Sequence, residues 1–218
     1  ILIPRNHAQK IKEWETGFED ILAYIESLEA PRYRWPINEP LARQGQQVFN
    51  DHCARCHGTY GDGSTYPEKT IPITELKTDP VRLQSLLPAY RAALNQSWLS
   101  RYGKDPVVED PGGYVAPPLN GVWASAPYFH NGSVPTLWHV LHPEDRPEIW
   151  KRTENGYDVN KVGLEIETFS VMPDSLSTMQ KRMYFDTTQF GKGATGHHYP
   201  NDLDPSQKEA VLEYLKTL

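Results

Sequence analysis

The stretch Gly45-Gln46-Gln47-Val48-Phe49-Asn50-Asp51-His52-Cys53-Ala54-Arg55-Cys56-His57-Gly58 decides how the rest of the chain is read. It holds both cysteines of the 218-residue sequence, at the spacing C-x-x-C-H. One helical turn can present two thiols so spaced to the two vinyl groups of a haem, and the histidine that follows then falls beneath the iron. Other chemistries fit less well. A disulfide between Cys53 and Cys56 leaves His57 without a role. A thioredoxin-like pair opens a helix in a βαβ setting that these flanks lack. A zinc site needs a second ligand pair, and there is no further cysteine. The motif therefore predicts one covalent haem c, with thioethers at Cys53 and Cys56 and His57 as an axial ligand. Such haems are attached on the outer side of the cytoplasmic membrane, so the expected location is periplasmic or extracellular.

The surroundings predict a mostly α fold: a cytochrome-c-like helical domain with long ordered loops and little β structure. Leu41 to Asn50 reads as the helix entering the motif, with Asn38 as N-cap and Pro40 in its first turn. Gly58, Gly61 and Gly63 let the chain leave it as a loop. The last helix has Asp204 as N-cap, Pro205 next, and Ala210, Val211, Tyr214 and Leu215 on one face. These two helices are expected to cross in the core. Upstream, Trp14, Phe18, Ile21, Leu22, Ile25 and Leu28 recur at helical spacing, and Ala30-Pro31 ends that run. Residues 1–36 are accordingly read as an N-terminal helix and Pro-rich linker, with the tail of a preceding domain as the alternative, and residues 37–218 as the haem-c domain.

Between these anchors, Asp79-Pro80 opens a helix to about Leu99 that Pro88 should kink. Val115 to Pro135 reads as ordered loop, Thr136 to Leu141 as a short helix, and Leu164 to Val171 as a strand, with a small strand pair allowed. Residues 143–203 otherwise show little periodicity. There is no internal repeat.

Composition narrows the function classes. A net charge of −6 argues against nucleic acid, which needs a basic face. No apolar stretch reaches the roughly 18–20 residues that span a bilayer. The start, Ile1-Leu2-Ile3-Pro4, lacks an initiator Met and a signal peptide, so a mature or trimmed chain is expected.

Two runs carry a resemblance. Pro117-Pro118-Leu119-Asn120-Gly121-Val122-Trp123 is followed by Ala126-Pro127-Tyr128-Phe129-His130-Asn131-Gly132-Ser133-Val134-Pro135-Thr136-Leu137. Together they resemble the bacterial di-haem cytochrome c peroxidase superfamily, and within it the rubber oxygenase branch. Cys56 to Tyr60, Arg146-Pro147, and Gly196-His197-His198-Tyr199 through the terminal Leu218 fit the same branch. Members carry two haem motifs and this chain carries one, so it resembles the C-terminal haem half. That half implies a six-coordinate, low-spin haem that transfers electrons. A redox protein partner is implied with it, such as a second haem subunit or domain. The alternative is a peroxidase- or dioxygenase-like oxidoreductase, or the electron-relay half of one.

The resemblance also implies that His197 is the sixth ligand, opposite His57. His198, the Met172-Pro173 step and His142 are the alternatives. His130 is expected to bond backbone or a haem propionate. His52 and His139 are expected at the surface or in packing, as are Met179 and Met183, and His7 is expected to be exposed. Trp123, Tyr128, Phe129 and Trp138 read first as core. By analogy with relatives that hold calcium between haems, Asn120 is a calcium candidate.

Overall fold

Asn38 starts the helix that carries the haem motif, and its side chain accepts a hydrogen bond from the Leu41 amide at 3.2 Å. The computed structural model describes Lys10 and residues 13–96 and 108–218. His7, Ile1 to Pro4 and Leu99 lie outside the described residues. In chain order the elements are α1 (Glu15–Glu26), α2 (Glu39–His52), α3 (Ala54–His57), β1 (Thr70–Pro72), α4 (Ile73–Leu76), α5 (Val81–Gln84), α6 (Pro88–Asn95) and β2 (Gly113–Val115). They continue with α7 (Leu137–Leu141), β3 (Ile149–Asp158), β4 (Gly163–Phe169), α8 (Thr178–Lys181), β5 (Tyr184–Asp186) and α9 (Pro205–Leu215).

The chain divides into two compact units. The smaller comprises residues 1–30 and 84–111. Within it, Phe18, Ile21, Leu22 and Ile25 of α1 are exposed, and Arg91 of α6 pairs with Asp110 at 2.7 Å. Pro88 does not kink a long helix: the chain breaks after α5, and Pro88 opens α6 as a new helix. A proline lacking an amide hydrogen is tolerated in a first turn and not in a helix interior.

The larger unit comprises residues 31–83 and 112–218 and holds the motif. Its core is the crossing of α2 with α9. Gly45 makes the crossing possible, because a Cβ there would overlap the Ala210 carbonyl and lie 2.9 Å from Tyr214 Cβ. Phe49 lies against Tyr214, the two rings tilted and their centres 5.3 Å apart. Asp204 caps α9 by a reciprocal box with Gln207. Around this crossing pack Val122, Trp123, Tyr128, Val134, Leu137, Leu141 and Val162, so Trp123 and Tyr128 are core side chains, as their sequence context implied.

The expectation of a mostly α fold with little β is overturned. A three-stranded antiparallel sheet of order β4-β3-β5 stands beside the helices, and β1 pairs with β2 antiparallel. The strand anticipated near Leu164 is thus one of three. The sheet is tied to α7, since the Leu137 amide donates to the Val162 carbonyl at 2.9 Å. Adjacent Ile149 and Trp150 of β3 are both about 5% exposed, so the alternation that marks a one-sided strand is missing. His139 on α7 is 3% exposed and bonded through Nδ1 to the Thr136 hydroxyl at 2.7 Å.

Two outcomes follow from this packing. Gly45→Ala should lower stability by about 1–3 kcal/mol in denaturant unfolding, because the crossing cannot absorb a methyl without moving backbone. His139 is held neutral, its pKa lowered to about 4 by burial and then by the Lys161, His142 and Arg146 charges. The unfolded chain takes up that proton near pH 6.5 and the folded chain does not, so stability should fall as pH drops from 6.5 towards 4. The loss is at most on the order of 3 kcal/mol, and a His139→Gln variant should flatten that limb of the stability–pH curve.

Candidate haem site

Cys53 ends α2 and the short α3 carries Cys56 and His57, so the motif turns a corner rather than extending one helix. The amides of Cys56 and His57 both donate to the Cys53 carbonyl at 3.1 Å. Gly58 then leaves with φ +80, and a Cβ there would overlap the Thr65 carbonyl. Both cysteines are unpaired thiols, and burial, with Cys56 close by, raises the Cys53 thiol to about 11. A redox-active dithiol needs the opposite shift.

The His57 ring is aimed by its second nitrogen. Nδ1 lies 2.9 Å from the Pro117 carbonyl, which can only accept, so the proton is on Nδ1 and Nε2 keeps its lone pair. Burial lowers the His57 pKa, which keeps the ring neutral. A carbonyl accepting from the far ring nitrogen is the usual way a metal-binding imidazole is oriented. Tyr60 braces the same corner by donating to the His57 carbonyl at 2.9 Å and accepting from the Leu119 amide at 2.7 Å. The Pro117–Leu119 segment is therefore fixed at both ends of the His57 turn.

About 140 residues later the chain returns, and His197 meets His57 with ring centres 6.2 Å apart and planes at 66°. His197 sits at φ +51, a conformation uncommon for a residue with a side chain. It is part-buried, and its Nδ1 is shut off from solvent with no hydrogen-bond partner. Burial, followed by the His57 and Arg146 charges, lowers its pKa to about 3, so the ring is a free base. Two imidazoles held as free bases with their rings 6.2 Å apart are a pair of donors that suits a metal.

The loop bearing His197 is held from several sides. The His197 amide donates to the Leu76 carbonyl at 2.9 Å. Asn131 Nδ2 donates to the Gly193 carbonyl at 2.9 Å, and the Gly193 amide donates to Asp79 Oδ2 at 3.0 Å. Gly196 has φ +82 and lies so close to Lys77 and Thr78 that no side chain fits.

Two of the other histidines stack on aromatic rings. His142 stacks on Trp138 at 4.1 Å and donates from Nδ1 to the Trp138 carbonyl. His130 stacks on Tyr114 at 4.3 Å, with its Nε2 buried and without a partner. His198 and His52 are exposed, Met172 is part-buried, and Met179 and Met183 are exposed. Phe129 lies 6.0 Å from His197, beside the site rather than within the core proper. Asn120 lines a cavity of about 210 Å³ with Tyr60, Thr65 and Tyr66, and no carboxylate lines it. Among the described residues there is no cluster of three His, Cys, Asp or Glu that could hold a metal ion. Arg146, which crosses this region, stands in the sequence only as part of an Arg-Pro pair, and nothing in its neighbours signals that it reaches the His197 loop.

Comparison with known proteins agrees with the motif. Residues 113–151 match the family model RoxA-like, cytochrome c-like, and residues 40–96 match cytochrome C oxidase, cbb3-type, subunit III. Protein y4iM of Sinorhizobium fredii is 30% identical over 233 residues, covering 89% of this chain and 52% of that protein. Protein y4iJ of the same organism is 28% identical over 253 residues, covering 85% of this chain and 41% of that protein. The chain thus spans about half the length of the curated relatives it matches. It carries a c-type cytochrome domain, which binds haem c covalently and transfers electrons. No helix among the described residues is long and apolar enough to cross a membrane.

The thiols can be tested directly. Haem should stay with the wild-type chain through acid–acetone extraction and be released from a Cys53→Ala, Cys56→Ala double variant. Retention in the double variant would mean that attachment does not run through these sulfurs.

Proposed function

We propose that this chain is an electron-transfer module with one haem c, its iron held between His57 and His197 and closed to outside ligands. The observation that carries this reading is the apposition of the two imidazoles. One metal ion held by both imidazoles would keep their ring centres on the order of 6 Å apart. The separation of 6.2 Å agrees with that arrangement. The haem, when bound, supplies one-electron exchange between ferric and ferrous iron. The chain's own part is to keep both imidazoles neutral and aimed. Pro117 holds the proton on His57 Nδ1, and burial holds His197 as a free base. His57 and His197 would together hold the iron, and would then leave oxygen and peroxide no open site on it.

The location follows from the attachment chemistry: periplasmic or extracellular. The partner is a redox protein. A second reading, favoured by the RoxA-like match over residues 113–151, makes this haem the relay half of a di-haem oxidoreductase of the peroxidase or oxygenase kind. In that case the catalytic haem belongs to another domain or subunit.

Spectroscopy of the haem-loaded chain decides between closed and open iron. The ferric protein should give a low-spin EPR signal, and the dithionite-reduced protein should not bind carbon monoxide. His197→Ala should turn high-spin, bind carbon monoxide, and return to low-spin with millimolar imidazole. A high-spin wild type would sink the closed-iron reading, and unchanged spectra in His197→Ala would remove His197 as ligand.

A further inference from the structure

We propose that Arg146 is the positioning residue of the sixth-ligand loop, clamping the carbonyls of Ala194 and Gly196 to the end of α7 so that His197 stands opposite His57. The inference rests on the reading of His197 as ligand and adds what holds it there. One guanidinium nitrogen, Nη1, donates to Ala194 at 2.8 Å and to Gly196 at 2.7 Å. Nε donates to the His139 carbonyl at 3.0 Å, and Nη2 to the Val140 carbonyl at 3.3 Å.

The last two carbonyls lie in the final turn of α7, where a helix leaves oxygens without intrahelical partners. A cation there is favourable on electrostatic grounds as well. Arg146 therefore satisfies a helix end and the ligand loop with one planar group. Its hydrogen bonds go to backbone carbonyls rather than to a carboxylate. A lysine, with one compact ammonium, cannot bridge four oxygens so spread.

The contacts continue to the ligand. The guanidinium stands over the Phe129 ring at 4.7 Å, and that ring lies 6.0 Å from the ring of His197. Phe129 and His197 are both at positive φ, +67 and +51. Residues with side chains keep such conformations only where their surroundings enforce them. Asn131 and Asp79 hold the loop at Gly191 and Gly193, upstream of the ligand. Only Arg146 grips the carbonyls immediately before it, among the hydrogen bonds of the described residues.

The test uses the haem-loaded chain and the variants Arg146→Met and Arg146→Lys. Amide hydrogen exchange is measured over residues 194–199, with α2 and α9 as internal references, and carbon monoxide binding is measured on the reduced protein. Loss of a charge-assisted hydrogen bond should speed exchange in that segment about tenfold or more in both variants. The references should be unchanged, and both variants should bind carbon monoxide where the wild type does not. If Arg146→Met does not fold, Arg146→Lys decides, since it keeps the charge and loses the fork. Unchanged exchange over 194–199 overturns the proposal. If the wild type itself binds carbon monoxide, the sixth-ligand reading fails, and the exchange result alone still decides whether Arg146 pins the loop.

Discussion

Two neutral imidazoles 6.2 Å apart are the constraint on which the rest of this structure depends. Each must be a free base, and each must be held against the pull of water and of its own backbone. His57 is held by a carbonyl that can only accept, so its tautomer is set by Pro117. His197 is held without any partner for Nδ1, in a backbone conformation it would not choose alone. An unsatisfied buried nitrogen costs on the order of 1–3 kcal/mol.

That constraint explains why so much of the larger unit is irregular yet ordered. The chain has 19 prolines, and the segments near the site are loops rather than regular elements. They are held by side chains that bond backbone. Tyr60 bonds the His57 and Leu119 segments, Asn131 the Gly191–Gly193 turn, and Arg146 the step before His197. Buried backbone groups must find partners, and where no ladder supplies them these side chains do. The α2–α9 crossing gives the fixed frame, because Gly45 lets the helix that delivers the motif lie against the backbone of α9.

The sheet is the feature that changes the architecture. It does not carry a candidate ligand, but β4 follows the Val162 turn that bonds Leu137 and so anchors α7, whose end Arg146 grips. β3 carries no clean two-residue period in the sequence, because Ile149 and Trp150 are buried side by side and two charged residues, Lys151 and Arg152, follow them. A two-residue period appears only when one face of a strand meets water. The same loss of periodicity hides Arg146, whose role comes from carbonyls some 50 residues away.

What the sequence by itself determined is local. The spacing of Cys53, Cys56 and His57 needs only one turn of backbone, and the caps at Asn38 and Asp204 act within three residues. The likeness of the Gly196–Tyr199 run to known relatives pointed to His197, but no spacing rule did. Only the tertiary structure decided that His197 faces His57, that Pro117 sets the tautomer, and that a three-stranded sheet stands beside the helices. The first two of these contacts join residues 140 and 60 positions apart, and the geometry of all three is set by packing and backbone hydrogen bonding rather than by any short-range preference.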